Sequence, residues 1–152
     1  MKKLVLYFSV TGHTKQAADQ LSQLTQADEV RIEPVKPYPI DYNRCTTIAQ
    51  NQITDQARPK IKTKLPDLKQ YDLIYLGFPT WWQQPPMIIN TLFEQNDFAG
   101  KKIVPFITSG SSPLSDSIPF LKEMATGAKI LPGFRYTNLN ELKEFLQKNP
   151  ES

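Results

Sequence analysis

Two apolar runs constrain this chain most: the unbroken Leu4-Val5-Leu6-Tyr7-Phe8, and the nearly continuous stretch from Tyr71 to Phe78. A strand that is apolar at every position offers no face to water, so it belongs inside a sheet covered on both sides. The first run leads into a segment with Ala17, Ala18, Leu21 and Leu24 at helical spacing. Behind the second, Pro85-Pro86 reopens a helix whose inner face is Met87, Ile88, Leu92 and Phe93. Strand-to-helix alternation of this kind builds a parallel sheet between two helical layers.

The remaining segments repeat the pattern. A second strand near Glu29 to Val35 sets apolar Val30 and Ile32 between Glu29, Arg31 and Glu33, and this alternation with Pro34 marks an edge. Cys45, Ile48, Ala49 and Ile53 share a helical face, with Cys45 in the core. Lys102 to Thr108 reads as a fourth strand, although Pro105 in its middle removes a ladder donor and counts against a central position. Leu114 to Ala125 predicts a helix and Ala128 to Leu131 a short fifth strand. Asn138, with Glu141 three residues on, caps a last helix carrying Leu142, Phe145 and Leu146. Ranking the strands by apolarity places them in the order 2-1-3-4-5, a doubly wound α/β sheet with its ligand beyond the carboxyl ends of strands one and three. A length of 152 residues suits one domain.

Composition removes several functions. One cysteine and one histidine exclude an internal disulfide and an ordinary structural zinc site. There is no Gly-x4-Gly-Lys-[Ser/Thr] loop, no Cys-x5-Arg loop after Cys45, and no pair of carboxylates spaced for hydrolysis, so no catalytic residue and no metal ligand is assigned. No apolar run approaches the roughly 20 residues of a membrane span. Leu4 to Phe8 is too short and too strand-like for a signal peptide, which points to a cytoplasmic protein without a membrane partner. The net charge of +3 is mild, but Arg58, Lys60, Lys62, Lys64 and Lys69 fall close together. Both a solvated loop and a landing patch for an acidic partner accommodate that cluster. Nucleic acid does not fit it, because interleaved aromatic residues are missing.

Three loops converge where the ligand belongs. Ser9-Val10-Thr11-Gly12-His13-Thr14 joins strand one to its helix, and hydroxyls, a turning glycine and unpaired helix N–H groups together make a phosphate cradle. His13 suits either the anion or an exposed first helical turn. Pro79-Thr80-Trp81-Trp82 follows strand three and places both tryptophans of the chain beside the cradle, a platform for a flat ring. Thr108-Ser109-Gly110, with Ser111 and Ser112, ends strand four and offers small polar groups to a ring edge. A phosphate pocket, a stacking platform and a polar edge reader describe FMN better than a dinucleotide. Neither a Gly-x-Gly-x-x-Gly fingerprint nor an acidic ribose reader after strand two is present.

These segments resemble the flavodoxin family. Tyr7-Phe8-Ser9-Val10-Thr11-Gly12-His13-Thr14 is similar to its phosphate loop, Pro79-Thr80-Trp81-Trp82 with Pro86-Met87 to its tryptophan loop, and Pro105-Phe106-Ile107-Thr108-Ser109-Gly110 to its strand-four ending. Tyr38-Pro39, Asp41-Tyr42 and Ala57-Arg58-Pro59 also look like that group. The resemblance implies a flavodoxin-like three-layer sandwich holding non-covalent FMN. Ser9, Val10, Thr11, Gly12, His13 and Thr14 would surround the phosphate; Pro79, Thr80, Trp81 and Trp82 would flank the ring, with Thr108, Ser109 and Gly110 at its edge. The chain departs from the family pattern at His13, usually asparagine, and at Gln83, commonly glycine. The function so implied is electron transfer to a redox partner protein or a small-molecule acceptor. Two rivals stand beside it: an NAD(P)H-dependent flavin or quinone reductase, and a flavodoxin-shaped interaction module without redox activity.

Overall fold

A computed structural model describes residues 2–150. The sheet is parallel and runs β2 (Asp28–Arg31), β1 (Lys3–Tyr7), β3 (Leu73–Pro79), β4 (Lys102–Thr108), β5 (Lys129–Ile130), with a sixth strand, β6 (Phe134–Arg135), also on β4. The order 2-1-3-4-5 is the one the sequence predicts.

Alternation along the strands divides the core in two. Val5 and Tyr7 of β1, Leu73 and Tyr75 of β3, and Val104 and Phe106 of β4 face α1 (His13–Thr25) and α5 (Leu139–Lys148). Leu4, Leu6, Ile74, Leu76, Ile103 and Ile107 face the other way, toward α3 (Met87–Gln95) and α4 (Ile118–Met124). The remaining helix, α2 (Tyr42–Thr54), lies beside α3.

Four expectations need correction. The fifth strand is split into β5 and β6, so the sheet has six strands. The predicted helix from Leu114 to Ala125 is a 3-10 turn over Leu114–Asp116 followed by α4. The second strand stops at Arg31, short of Pro34. Ile48 of α2 and Leu24 of α1 are exposed, although their spacing puts them with the buried positions of those helices.

The split edge answers the objection to Pro105. Leu131 N donates to Ile103 O (2.8 Å) and Tyr136 N to Ile107 O (2.8 Å), so alternate residues of β4 turn their polar groups toward the edge strand. Pro105 falls between them, and its missing N–H faces the break at Leu131-Pro132-Gly133 instead of β3. The break fits closely around it, since a β-carbon on Gly133 would lie 1.9 Å from Pro105 O.

Candidate functional site

Parallel winding brings the starts of α1 and α2 to the same rim as the ends of β1, β3 and β4. At the α1 entrance Gly12 adopts φ +99°, a left-handed conformation that suits glycine, and the space beside its α-carbon is open. The Ser9 hydroxyl is buried and accepts hydrogen bonds from Gly12 N (3.2 Å) and Lys15 N (3.3 Å), which folds the loop back on itself. Among the described residues the N–H groups of Thr11, His13 and Thr14 have no acceptor. They give the rim a cluster of donors at the positive end of the helix dipole.

Charge in this corner is largely committed elsewhere. Lys15 Nζ lies 2.7 Å from Asp19 one turn along the helix, away from the loop. A hydrogen bond from Glu29, then one from Lys15, holds the Asp19 carboxyl below its usual range. Burial, and then the neighbouring Asp19, push Glu29 up to about 7. Arg31 Nη2 donates to Ser9 O (2.9 Å) and braces the loop from behind. His13 is exposed, with Nδ1 3.2 Å from Thr11 Oγ1. An anion at this loop would therefore meet neutral donors and a helix dipole, with no lysine.

The two tryptophans separate. Trp81 is half-buried and packs edge-on against Phe8 (5.7 Å between ring centres) and at a tilt against Tyr38 (5.3 Å), so it caps the core. Trp82 is 53% exposed, and its Nε1 donates to Thr46 O (3.0 Å) on α2. The adjacent pair thus does not sink both rings into the core: Trp81 packs against it and Trp82 stays outside. The turn between them and α3 is a two-residue hairpin: Trp81 and Gln84 exchange backbone hydrogen bonds (3.3 and 3.4 Å), while Trp82 and Gln83 sit at φ +56° and +64°. Positive φ at both central residues is the type I′ signature, and it gives a physical reason for glycine at the position of Gln83.

Two adjoining cavities open between these loops. The smaller is lined by Val10, Thr11, Thr14, Pro79 and Trp81 together with the start of α2. The larger, about 460 Å³, has walls of Thr80, Trp81, Trp82, Ser109 and Gly110, continued by Ser111 and Ser112. Tyr42 and Thr46 belong to both. Ser9, Gly12, His13 and Thr108 line neither cavity. Thr108 supports the site from behind, with its hydroxyl 2.7 Å from that of Thr14. The Ser109 hydroxyl donates to Ser112 O (2.7 Å), which closes the strand-four loop, and Arg135 Nη1 steadies the same loop at Ser109 O (3.2 Å). Thr80 Oγ1 is buried without a hydrogen-bond partner, beside the larger cavity. Ser22, Tyr75, Thr91 and Ser117 also have buried hydroxyls without a partner among the described residues, but Thr80 is the one of the five that lines a cavity on this rim.

Tyr42, 76% exposed, is the aromatic lining residue that site reasoning from the sequence does not assign; Ile40, Asn43, Cys45, Thr46 and Gln83 also line the cavities outside that assignment. The available signal for Tyr42 is its position directly after the α2 cap: Asp41 Oδ1 accepts from Arg44 N (3.1 Å), so Tyr42 opens a helix on the ligand rim. Among the described residues no cluster of histidine, cysteine or acidic side chains is placed to hold a metal ion, and no helix is long and apolar enough to cross a membrane.

Residues 2–149 match the family described as Flavodoxin. This chain belongs to the flavodoxin family. A protein of Bacteroides uniformis, provisionally described as a flavoprotein, is 36% identical, with 96% of this chain and 97% of that one covered and a TM-score of 0.87. The Lactobacillus acidophilus flavoprotein solved in complex with FMN is 25% identical over 94% of this chain and 97% of that one, with a TM-score of 0.81. Flavodoxin 1 of Bacillus cereus, at 21% identity, covers 99% and 96% with a TM-score of 0.59 and shares the fold. No curated protein matches the sequence.

Proposed function

We propose that this flavodoxin-family chain is a cytoplasmic FMN-binding protein that transfers electrons through the non-covalently held flavin. The observation that carries the reading is the pair of adjoining cavities, with partnerless helix-entrance amides at one end and indole surface and an orphan hydroxyl at the other. The donor set fits the nucleotide. The amides of Thr11, His13 and Thr14 and the Thr11 hydroxyl would hold the phosphate, with open space beside Gly12. Trp82, Tyr42, the Thr80 hydroxyl and the Ser109–Ser112 loop would hold the ring.

FMN supplies the redox chemistry when bound, taking up and giving off electrons singly or in pairs. This chain's residues bind it, orient it and limit water at its face, and no side chain has to act as a general acid or base. The partner is a redox protein or a small-molecule acceptor.

Titration of the purified chain with FMN, followed by visible absorption and thermal shift, tests the reading. Saturation at about 100 times Kd adds roughly 2.7 kcal/mol of stability. Riboflavin, which lacks the phosphate, gives a much smaller shift if the cradle does what is proposed. A chain that ignores FMN is an interaction module instead. Rapid anaerobic bleaching of the complex by NADPH or NADH would make it a reductase.

A further inference from the structure

The outer edge of β2 carries a surface distinct from the two cavities of the candidate site, although one of its grooves reaches Ser9 and Val10 of the loop before α1. After α2 the chain returns antiparallel to residues 33–35: Val35 N donates to Lys60 O (2.9 Å), Lys62 N to Glu33 O (2.7 Å), and Pro34 bridges Ile61. The Thr63 hydroxyl ties the same segment to Glu33 N and Arg31 O (2.8 Å each). Side chains alternate along an extended segment. Ile61, Thr63 and Leu65 turn inward and are half-buried, whereas Lys60, Lys62 and Lys64 are exposed on one strip. Lys36 is exposed on the facing ridge. None of these four lysines forms an ion pair among the described residues, and Glu33 is the acid that shares their surface.

That ridge, residues 34–38, stands between two grooves. One, about 300 Å³, separates it from α2 and is walled by Val35, Ile48, Pro59 and the Lys60 stem. The other, about 340 Å³, lies against the end of β1 and holds Arg31 and Lys62. Val35 is 58% exposed and Ile48 37%, so the apolar wall is open to solvent. Proline at positions 34, 37 and 59, with the backbone bonds above, fixes the grooves in advance and lowers the ordering cost of an occupant.

Unpaired lysines beside an open apolar groove define the occupant. A small anion would use the lysines and leave the groove empty. A bilayer is met by protruding apolar side chains, not by a groove. Nucleic acid would use the lysines through its phosphates and leave the apolar groove empty. We infer that the β2 edge is a docking face for an acidic partner protein, which inserts an apolar side chain between Val35 and Ile48 and sets its carboxylates against Lys36, Lys60 and Lys62. Tyr38 lines both grooves, and its ring centre is 5.3 Å from that of Trp81, so a docked partner sits one ring away from the cofactor site. The inference does not depend on the flavin, and its test reads no flavin signal.

The test is an NMR titration of the isotope-labelled full chain with a synthetic peptide carrying one phenylalanine between runs of glutamate. Amide shifts are expected at Val35, Ile48, Lys60 and Lys62, with affinity that falls as salt rises and falls again when the phenylalanine becomes serine. Lys60→Glu with Lys62→Glu weakens binding about tenfold or more. Lys143→Glu with Lys148→Glu on α5 changes net charge equally and leaves affinity intact. Lys36→Glu repeats the test outside the extended segment if the first pair fails to fold. Equal loss in both pairs, shifts elsewhere, or no binding overturns the inference. So does binding of phosphatidylserine vesicles with the same lysine dependence, or self-association through the same residues.

Discussion

The hydroxyls of Thr14 and Thr108 lie 2.7 Å apart and join the α1 entrance to the end of β4. Thr14 is buried, and either oxygen can be the donor. The bond fixes the distance between the α1 entrance and the loop that follows β4. Replacing one partner strands the other hydroxyl, so Thr14→Val or Thr108→Val should each cost about 1–2 kcal/mol. The double variant should cost less than the sum of the two, with a coupling of about 0.5–1.5 kcal/mol by chemical denaturation. Additive losses would mean that the two loops do not hold each other.

The two tryptophans should separate in their effects. Trp81 caps the core against Phe8 and Tyr38, so Trp81→Ala should lower stability by about 2–4 kcal/mol even without ligand. Trp82 holds one hydrogen bond to Thr46 O and is exposed, so Trp82→Ala should lower it by about 1 kcal/mol or less. FMN affinity should fall about tenfold in Trp82→Ala, the value of one lost stacking partner. Equal stability losses in the two variants would contradict the division of roles.

What the sequence made legible was local. The strand–turn–helix of residues 4–21 lies in one stretch, and its period and turn chemistry identify it without help from the rest. Fold order followed from burial, because Leu4 to Tyr7 of β1 and Leu73 to Phe78 of β3 are buried throughout and carry no charged side chain. Pro105 was misleading because a proline objects only to the neighbour its nitrogen faces, and that is decided by Gly133, which lies far along the chain. The exposure of Ile48 was hidden for a related reason: helical spacing names a face of α2, and only the placement of the ridge beside it shows how much of that face is covered. The Thr14–Thr108 bond and the place of Tyr42 in both cavities arise only once separate loops meet.

Thr80 distinguishes a ligand site from a structural turn. Its buried hydroxyl has no partner, which costs about 1–3 kcal/mol unless something fills the cavity. Thr80→Val keeps the shape and removes that cost. The ligand-free chain should then melt higher, by about 1 kcal/mol in stability, while FMN binds about tenfold more weakly. A variant that gains stability and keeps its FMN affinity would remove Thr80 from the binding site.

Gln83 carries local backbone strain. At φ +64° its β-carbon is held in the left-handed region, where glycine rests without penalty. Gln83→Gly should stabilise the chain by up to about 1 kcal/mol, the strain released less the entropy that glycine adds to the unfolded state. Gln83→Ala retains the strain and should show no gain. Denaturant midpoints of the three proteins test this, and a loss in Gln83→Gly would show that the glutamine side chain supports the turn.

Glu29 sets a pH dependence of known sign. Its carboxyl is pushed up to about 7 in the fold, by burial first and by Asp19 second, against an ordinary value of 4.5. A group whose folded value is raised adds stability that is complete below its ordinary value and is lost as pH rises through the folded one. Asp19, held below its ordinary 3.8, acts in the opposite sense, and its contribution disappears only as pH falls through that lowered value. Between about pH 4.5 and 7.5 the slope belongs to Glu29. Glu29→Gln cannot ionise, so its melting temperature relative to the natural chain should climb steadily from pH 5 to pH 8. Parallel melting curves across that range would show that Glu29 keeps an ordinary carboxyl.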